Sequence, residues 1–225
     1  MKKCLAILMV LGCIGLVQAT FVTVVDNFEG YADSAALNAA WVVNPNSNIT
    51  SETLESVLNG KCMLIQNNQN SPYYAQTKYA LPGAVWQVHG VNLTYPGYYM
   101  IKMTFAVPKN DGVAPWGTLG GSGGDVFLSM FDCWGQKVFG ASYPGEVTSS
   151  GTGWPNGIVW EMNFADYTVP GMNLENVMYI TVGYDKTYYG TGALFVDDIT
   201  LVGIPEPATL ALLTMGGLMA LRRRQ

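Results

Sequence analysis

The 225-residue chain is short of the residues that most catalytic chemistry uses. It holds one histidine, His89, in the run Trp86-Gln87-Val88-His89-Gly90, which reads as an ordinary strand end. A Ser–His–Asp relay therefore has a single candidate base, and zinc chemistry would need more histidines or a denser cysteine cluster. Of the four cysteines, Cys4 and Cys13 lie in the N-terminal apolar stretch. Cys62 and Cys133 fit a disulfide in an exported protein or two buried free thiols, and their spacing does not decide between them. Arginine is absent between Thr20 and Ile204, where six lysines face fifteen acidic residues, a net charge near −9. So few cations cannot build a patch for a phosphate backbone or an anionic lipid surface, which argues against nucleic-acid binding.

The cations that exist elsewhere are at the two ends. Lys2 and Lys3 precede an apolar stretch from Leu5 to Val17 and the small-residue site Val17-Gln18-Ala19. That order predicts a secretory signal peptide over residues 1–19, cleaved after Ala19, which requires a Sec translocon and signal peptidase. A rival is a lipoprotein signal cut before Cys13, since Val10-Leu11-Gly12-Cys13 is close to a lipobox. The apolar run, however, continues past Cys13 to a better site. At the other end, Pro205-Glu206-Pro207 is followed by fourteen uncharged residues, Ala208 to Leu221, and then by Arg222, Arg223 and Arg224. As a helix at ~1.5 Å per residue this run spans about 21 Å, short of the roughly 30 Å hydrocarbon layer, with snorkelling arginines and local thinning to close the gap.

This tail resembles the PEP-CTERM sorting signal, in which a Pro-Glu-Pro triplet precedes a short apolar helix and a basic end. The resemblance implies recognition by an exosortase-type membrane protease and cleavage near Pro205–Pro207. It also implies a transmembrane helix that transiently anchors the protein in the inner membrane with its C-terminus cytoplasmic, before delivery to the cell surface or extracellular matrix. A plain C-terminal anchor that is never cut is the alternative.

Between the ends, alternation is the useful signal. Tyr99, Ile101, Met103, Phe105 and Val107 share one face of a strand, with Lys102 and Thr104 on the other, and Trp160, Met162 and Phe164 alternate with Glu161 and Asn163. Further strands are expected at Val22–Phe28, Lys61–Gln66, Tyr73–Tyr79, Val126–Cys133, Lys137–Ala141, Met178–Tyr184 and Ala193–Val202. A type II turn is expected at Tyr95-Pro96-Gly97-Tyr98 and a short helix at Ser34–Ala40, capped by Asp33 or Ser34. Many strands with almost no helix predict an all-β antiparallel sandwich over residues 20–203, flanked by the signal helix (1–19) and the sorting tail (204–225).

Asp26-Asn27-Phe28-Glu29-Gly30-Tyr31, a small-residue helix and Trp41 resemble the opening of galactose-binding-like jelly rolls, many of them carbohydrate-binding modules. Leu194-Phe195-Val196-Asp197-Asp198-Ile199-Thr200-Leu201 resembles their closing strand. The resemblance implies a structural calcium held by Glu29 and Asp197, with Asp26 and Asp198 as further candidates and backbone carbonyls completing the oxygen shell. By parity Asp197 falls on the row of Phe195, Ile199 and Leu201, where a carboxylate is costly unless compensated. The alternative is that Asp197 ends a strand and caps a turn.

Trp116, Trp134, Trp154 and Tyr143 lie in or beside Gly/Pro-rich segments and are the candidates for stacking against sugar rings, packing under a loop being the alternative for each. Trp41, Trp86 and Trp160 read as core. The run Gly117–Gly124 lacks the Gly-Lys-Ser/Thr of a phosphate loop and reads as a flexible loop. The reading is a non-catalytic, exported surface or matrix protein that binds extracellular polysaccharide. The alternatives are a structural matrix component without a small ligand, and a glycoside-active enzyme with two acids facing each other at about 5–9.5 Å.

Overall fold

The computed structural model describes residues 20–44, 51–58, 60–67, 74–108, 124–144, 152–153, 155–186 and 192–204. Eleven strands are named within them. β1 is Phe21–Asp26, β2 Trp41–Val43, β3 Ser51–Glu55, β4 Cys62–Asn67, β5 Tyr74–Ala80 and β6 Tyr98–Ala106. β7 is Gly124–Asp132, β8 Lys137–Ser142, β9 Ile158–Asn163, β10 Val177–Lys186 and β11 Gly192–Gly203. Two short helices accompany them, α1 at Ser34–Ala40 and α2 at Phe164–Tyr167.

All pairings between these strands are antiparallel, and they form two sheets. One runs β3-β4-β11-β6-β9, with β1 also on β11; the other runs β2-β5-β10-β7-β8. The sandwich is therefore as expected, and the reason lies in the period-two pattern. Ile101, Met103 and Phe105 of β6, Trp160 and Met162 of β9, and Val126, Leu128 and Met130 of β7 all enter one core cluster between the sheets. Each such side chain contributes roughly 1.5–3 kcal/mol on burial.

The flanking membrane helix is a correction. Among the described residues no helix is long and apolar enough to cross a membrane. Fourteen uncharged residues are also fewer than the roughly 20 that a spanning helix needs. Residues 1–19 and 205–225, and with them Ala19 and the Pro205–Arg224 features, lie outside the described residues.

Local signals explain most boundaries. α1 is capped by Asp33, whose Oδ1 accepts the Ala36 N–H at 2.9 Å. The turn at Pro96 closes one residue earlier than expected, with the Thr94 carbonyl accepting the Gly97 N–H at 2.9 Å. Cys62 and Cys133 are both buried free thiols, which removes the disulfide.

Parity at the closing strand is the informative error. Leu194 and Val196 face the main core, and so do Ile199 and Leu201, while Phe195 joins a second small cluster with Cys62, Leu64, Ala106 and Ala193 on the other face. The alternation slips by one residue because β11 is bulged at Asp197–Asp198, where Asp198 takes φ +45°. Gly192–Val196 pair with β4, whereas Ile199–Gly203 pair with β1. The bulge marks the point where β11 exchanges one neighbour for the other, as bulges commonly do when a strand is re-aimed.

Candidate functional site

The four acids expected to hold calcium gather around that exchange point. Asp197 is buried, and its carboxylate is raised to about 6 by desolvation and by the negative charge of Asp198; its hydrogen bond from the Asp198 N–H opposes this, and Glu29 and Asp26 add to it. Asp26 is already engaged. Its Oδ1 accepts the Phe28 N–H at 2.8 Å, and its Oδ2 accepts the Tyr31 hydroxyl at 2.5 Å and the Trp41 Nε1–H at 2.8 Å. The Asp26-to-Tyr31 motif is thus a hydrogen-bonded knot that pins Trp41, itself stacked on Tyr79 at 5.2 Å.

Glu29 is engaged too. Its Oε1 accepts the Lys61 N–H at 2.7 Å, and the Lys61 ammonium donates to the carbonyls of Tyr31 (2.6 Å) and Glu29 (3.3 Å). Calcium asks for six to eight oxygens. Here the loop carbonyls face an ammonium, and among the described residues no group of three His, Cys, Asp or Glu side chains is placed to hold a metal ion. The residues do not fit the ion, and the calcium expectation has no support from them.

The expected sugar-stacking aromatics separate. Trp116 and Trp154 lie outside the described residues. Tyr143 packs edge-on against Phe105 (4.9 Å) and Trp160 (5.7 Å), so its ring closes the core rather than facing a ligand. Trp134 is 54% exposed. It stands in the β7–β8 turn, which Asp132 holds by accepting the N–H groups of Trp134 (3.0 Å) and Gln136 (2.7 Å) through Oδ1. Trp86, expected in the core, is 48% exposed. It sits at the tip of the Val85–His89 loop and lies over Gly135, where an added Cβ would come within 3.0 Å of its ring; Gly135 also has φ +81°. The apolar run around Trp86 belongs to a tight loop, not to a strand, which is why it reads as core and is not.

Sequence reasoning missed the feature that best resembles a ligand site. On the solvent face of the second sheet, the alternate residues of β7 that do not enter the core line a groove of about 300 Å³. Register builds it in rows. Asp125 lies opposite Asp185, Phe127 opposite Gly183 and Ser142, Ser129 opposite Thr181 and Gly140, and Phe131 opposite Tyr179 and Lys137. Gln76 and Lys78 extend the middle rows on β5. From the Asp185 row to the Tyr179 row is six residues, about 20 Å at the usual strand rise. Phe131 and Tyr179 stack with centroids 4.9 Å apart, and Lys78 Nζ lies 5.7 Å from the Tyr179 centroid. The floor stays low at Gly183, where a Cβ would fall 2.0 Å from the Ala75 carbonyl oxygen.

The groove combines flat apolar rings with carboxylates, an amide, hydroxyls and ammonium groups. Such a surface binds by stacking and hydrogen bonding. Asp125 and Asp185 do not make it a glycosidase, because they stand side by side on one sheet, whereas glycosidase acids flank the scissile bond from either side.

No family model matches the chain, and no curated protein matches it. Solved structures share the path of the chain. A family 11 carbohydrate-binding module from Clostridium thermocellum, in complex with a β-1,3-1,4-mixed-linked tetrasaccharide, is 19% identical over 82% of this chain and 97% of its own, with a TM-score of 0.48. The CBM27-1 module of Caldicellulosiruptor saccharolyticus, in complex with mannohexaose, is 11% identical over 80% and 96%, with a TM-score of 0.48. An exo-β-agarase matches 82% of this chain with 25% of its own, at 11% identity and a TM-score of 0.47. At these values the likeness concerns the fold alone. With no spanning helix among the described residues, the PEP-CTERM identification, the exosortase partner and the transient membrane anchorage are withdrawn.

Proposed function

We propose that the domain is a non-catalytic carbohydrate-binding unit of an exported protein, taking a glycan chain along the solvent face of the β2-β5-β10-β7-β8 sheet. One observation carries the reading. The groove is lined by Phe127 and Phe131 among hydrogen-bonding groups of Asp125, Asp185 and Ser129, on strands paired to β10 and β8 along their length. Sugar rings present C–H groups on one face and hydroxyls at their edges, which is the complement of such a surface. Building the site on strands keeps the donors and acceptors fixed before the ligand arrives, which limits the ordering cost of binding.

A second location has its own observation. Exposed Trp134 borders a small pocket of about 170 Å³ whose polar lining includes Asp132, Asn173 and Asn176. Affinity electrophoresis of the wild-type domain, Phe131→Ala and Trp134→Ala through gels holding a panel of polysaccharides separates the two. The groove reading expects retardation by some glycan that Phe131→Ala abolishes and Trp134→Ala leaves in place. The reverse pattern moves binding to the turn, and retardation by no glycan removes the function.

A further inference from the structure

The groove carries an uneven charge that the proposed function does not use. Of the lysines whose side chains are described, Lys61 is spent on backbone carbonyls and Lys102 on an ion pair with Glu161. Lys78 and Lys137 are the other two, and neither makes an ion pair among the described residues. In a domain with a net charge near −9, both stand on the same face of the same sheet, on either side of the Phe131–Tyr179 stack. Lys78 lies over the Tyr179 ring. Lys137 comes back over Gly140, where an added Cβ would sit 3.1 Å from its Cε and Nζ, so its ammonium hangs beside Ser129 in the next row. The far end of the groove is opposite in sign, with Asp125 and Asp185 in facing positions about 20 Å away along the strands.

Resting on the carbohydrate reading, we infer that this groove selects an acidic glycan, whose anionic substituent sits between Lys78 and Lys137 while its ring packs on Phe131, which Tyr179 backs. The chain runs in one direction only. An anionic residue at the aspartate end would meet two carboxylates of like charge, whereas the free hydroxyls of a neutral residue can donate to them. The anion is a uronate carboxylate or a sulfate ester, and both present the same oxygen-borne charge to an ammonium.

Affinity electrophoresis and calorimetry of the wild-type domain, Lys78→Met and Lys137→Met, with a neutral β-glucan, a glycan whose uronate residues are interspersed among neutral sugars, and one whose sulfated residues are likewise interspersed, test the inference. Melting curves of each variant verify folding. Retention of an acidic glycan that falls at least about tenfold in either lysine variant, and weakens as salt is raised, supports it; the arm retained tells carboxylate from sulfate. Equal retention of neutral and acidic glycans, or lysine variants that bind like wild type, overturns the charge selection and leaves carbohydrate binding standing. Failure of all three glycans to bind overturns both.

Discussion

Lys61 reaches across from the start of β4 to donate to the Tyr31 carbonyl at 2.6 Å, tying the loop after β1 to the head of that strand. The same residue's backbone N–H holds the Glu29 carboxylate at 2.7 Å. A protein-borne cation therefore faces two backbone carbonyls of the loop that the resemblance to calcium-bearing jelly rolls made a candidate for the metal's oxygen shell.

Lys61→Met is expected to lower stability by about 1.5–3 kcal/mol, the usual worth of a charge-assisted hydrogen bond, which is a drop of several degrees in Tm for a domain of this size. Adding EDTA or calcium to the wild type should leave Tm where it was. A fall in wild-type Tm with chelator would show that the acids around Asp197 do hold an ion.

Asp26 supplies a second test of the same region. Asn at this position keeps one acceptor oxygen, and with that oxygen on the Phe28 N–H its NH2 group points at the Trp41 Nε1–H, which can only donate. Asp26→Asn should cost about 2–3 kcal/mol in denaturant unfolding, because a buried donor is left unmade. A loss below 0.5 kcal/mol, within the scatter of ordinary surface changes, would mean the knot does not hold Trp41.

Glu52 makes the domain's stability depend on pH. It lies buried on β3 with both carboxylate oxygens unpartnered, and it faces the equally unpartnered Thr77 hydroxyl without closing a hydrogen bond. Desolvation raises its carboxyl to about 7 from an ordinary 4.5, with Thr77 lowering it by less. The folded state thus holds a proton that the unfolded state gives up. The stabilisation is complete below about pH 4.5 and is lost as pH rises through 7. Glu52→Gln should flatten this fall and stabilise the domain at pH 8 by about 1–3 kcal/mol. Urea melts at pH 5, 6.5 and 8 decide it; parallel pH dependence in both proteins would contradict the assignment.

The fold was largely legible because its signal is repeated. Strands β6 and β9 alternate plainly, and the Asp33-capped helix at Ser34–Ala40 announces itself by its cap and small residues. Two strands were not legible. β2 is three residues long and follows the helix directly, and β3 reads Ser-Glu-Thr-Leu-Glu, with a glutamate at a buried position. The bulge at Asp197 was hidden as well, since a one-residue slip leaves no mark in a sequence whose next apolar residues resume the same spacing. The groove escaped for a different reason. Phe127, Phe131 and Tyr179 look like core in any single strand, and only pairing β7 with β10 shows that they share the outer face.

Chemical-shift mapping with a bound oligosaccharide tests the central claim most directly. The account predicts that the perturbed backbone amides concentrate on β7 and β10 around Phe127, Ser129, Phe131 and Thr181. Perturbations confined to Trp86 and Trp134, or none from any glycan at saturating concentration, would contradict it.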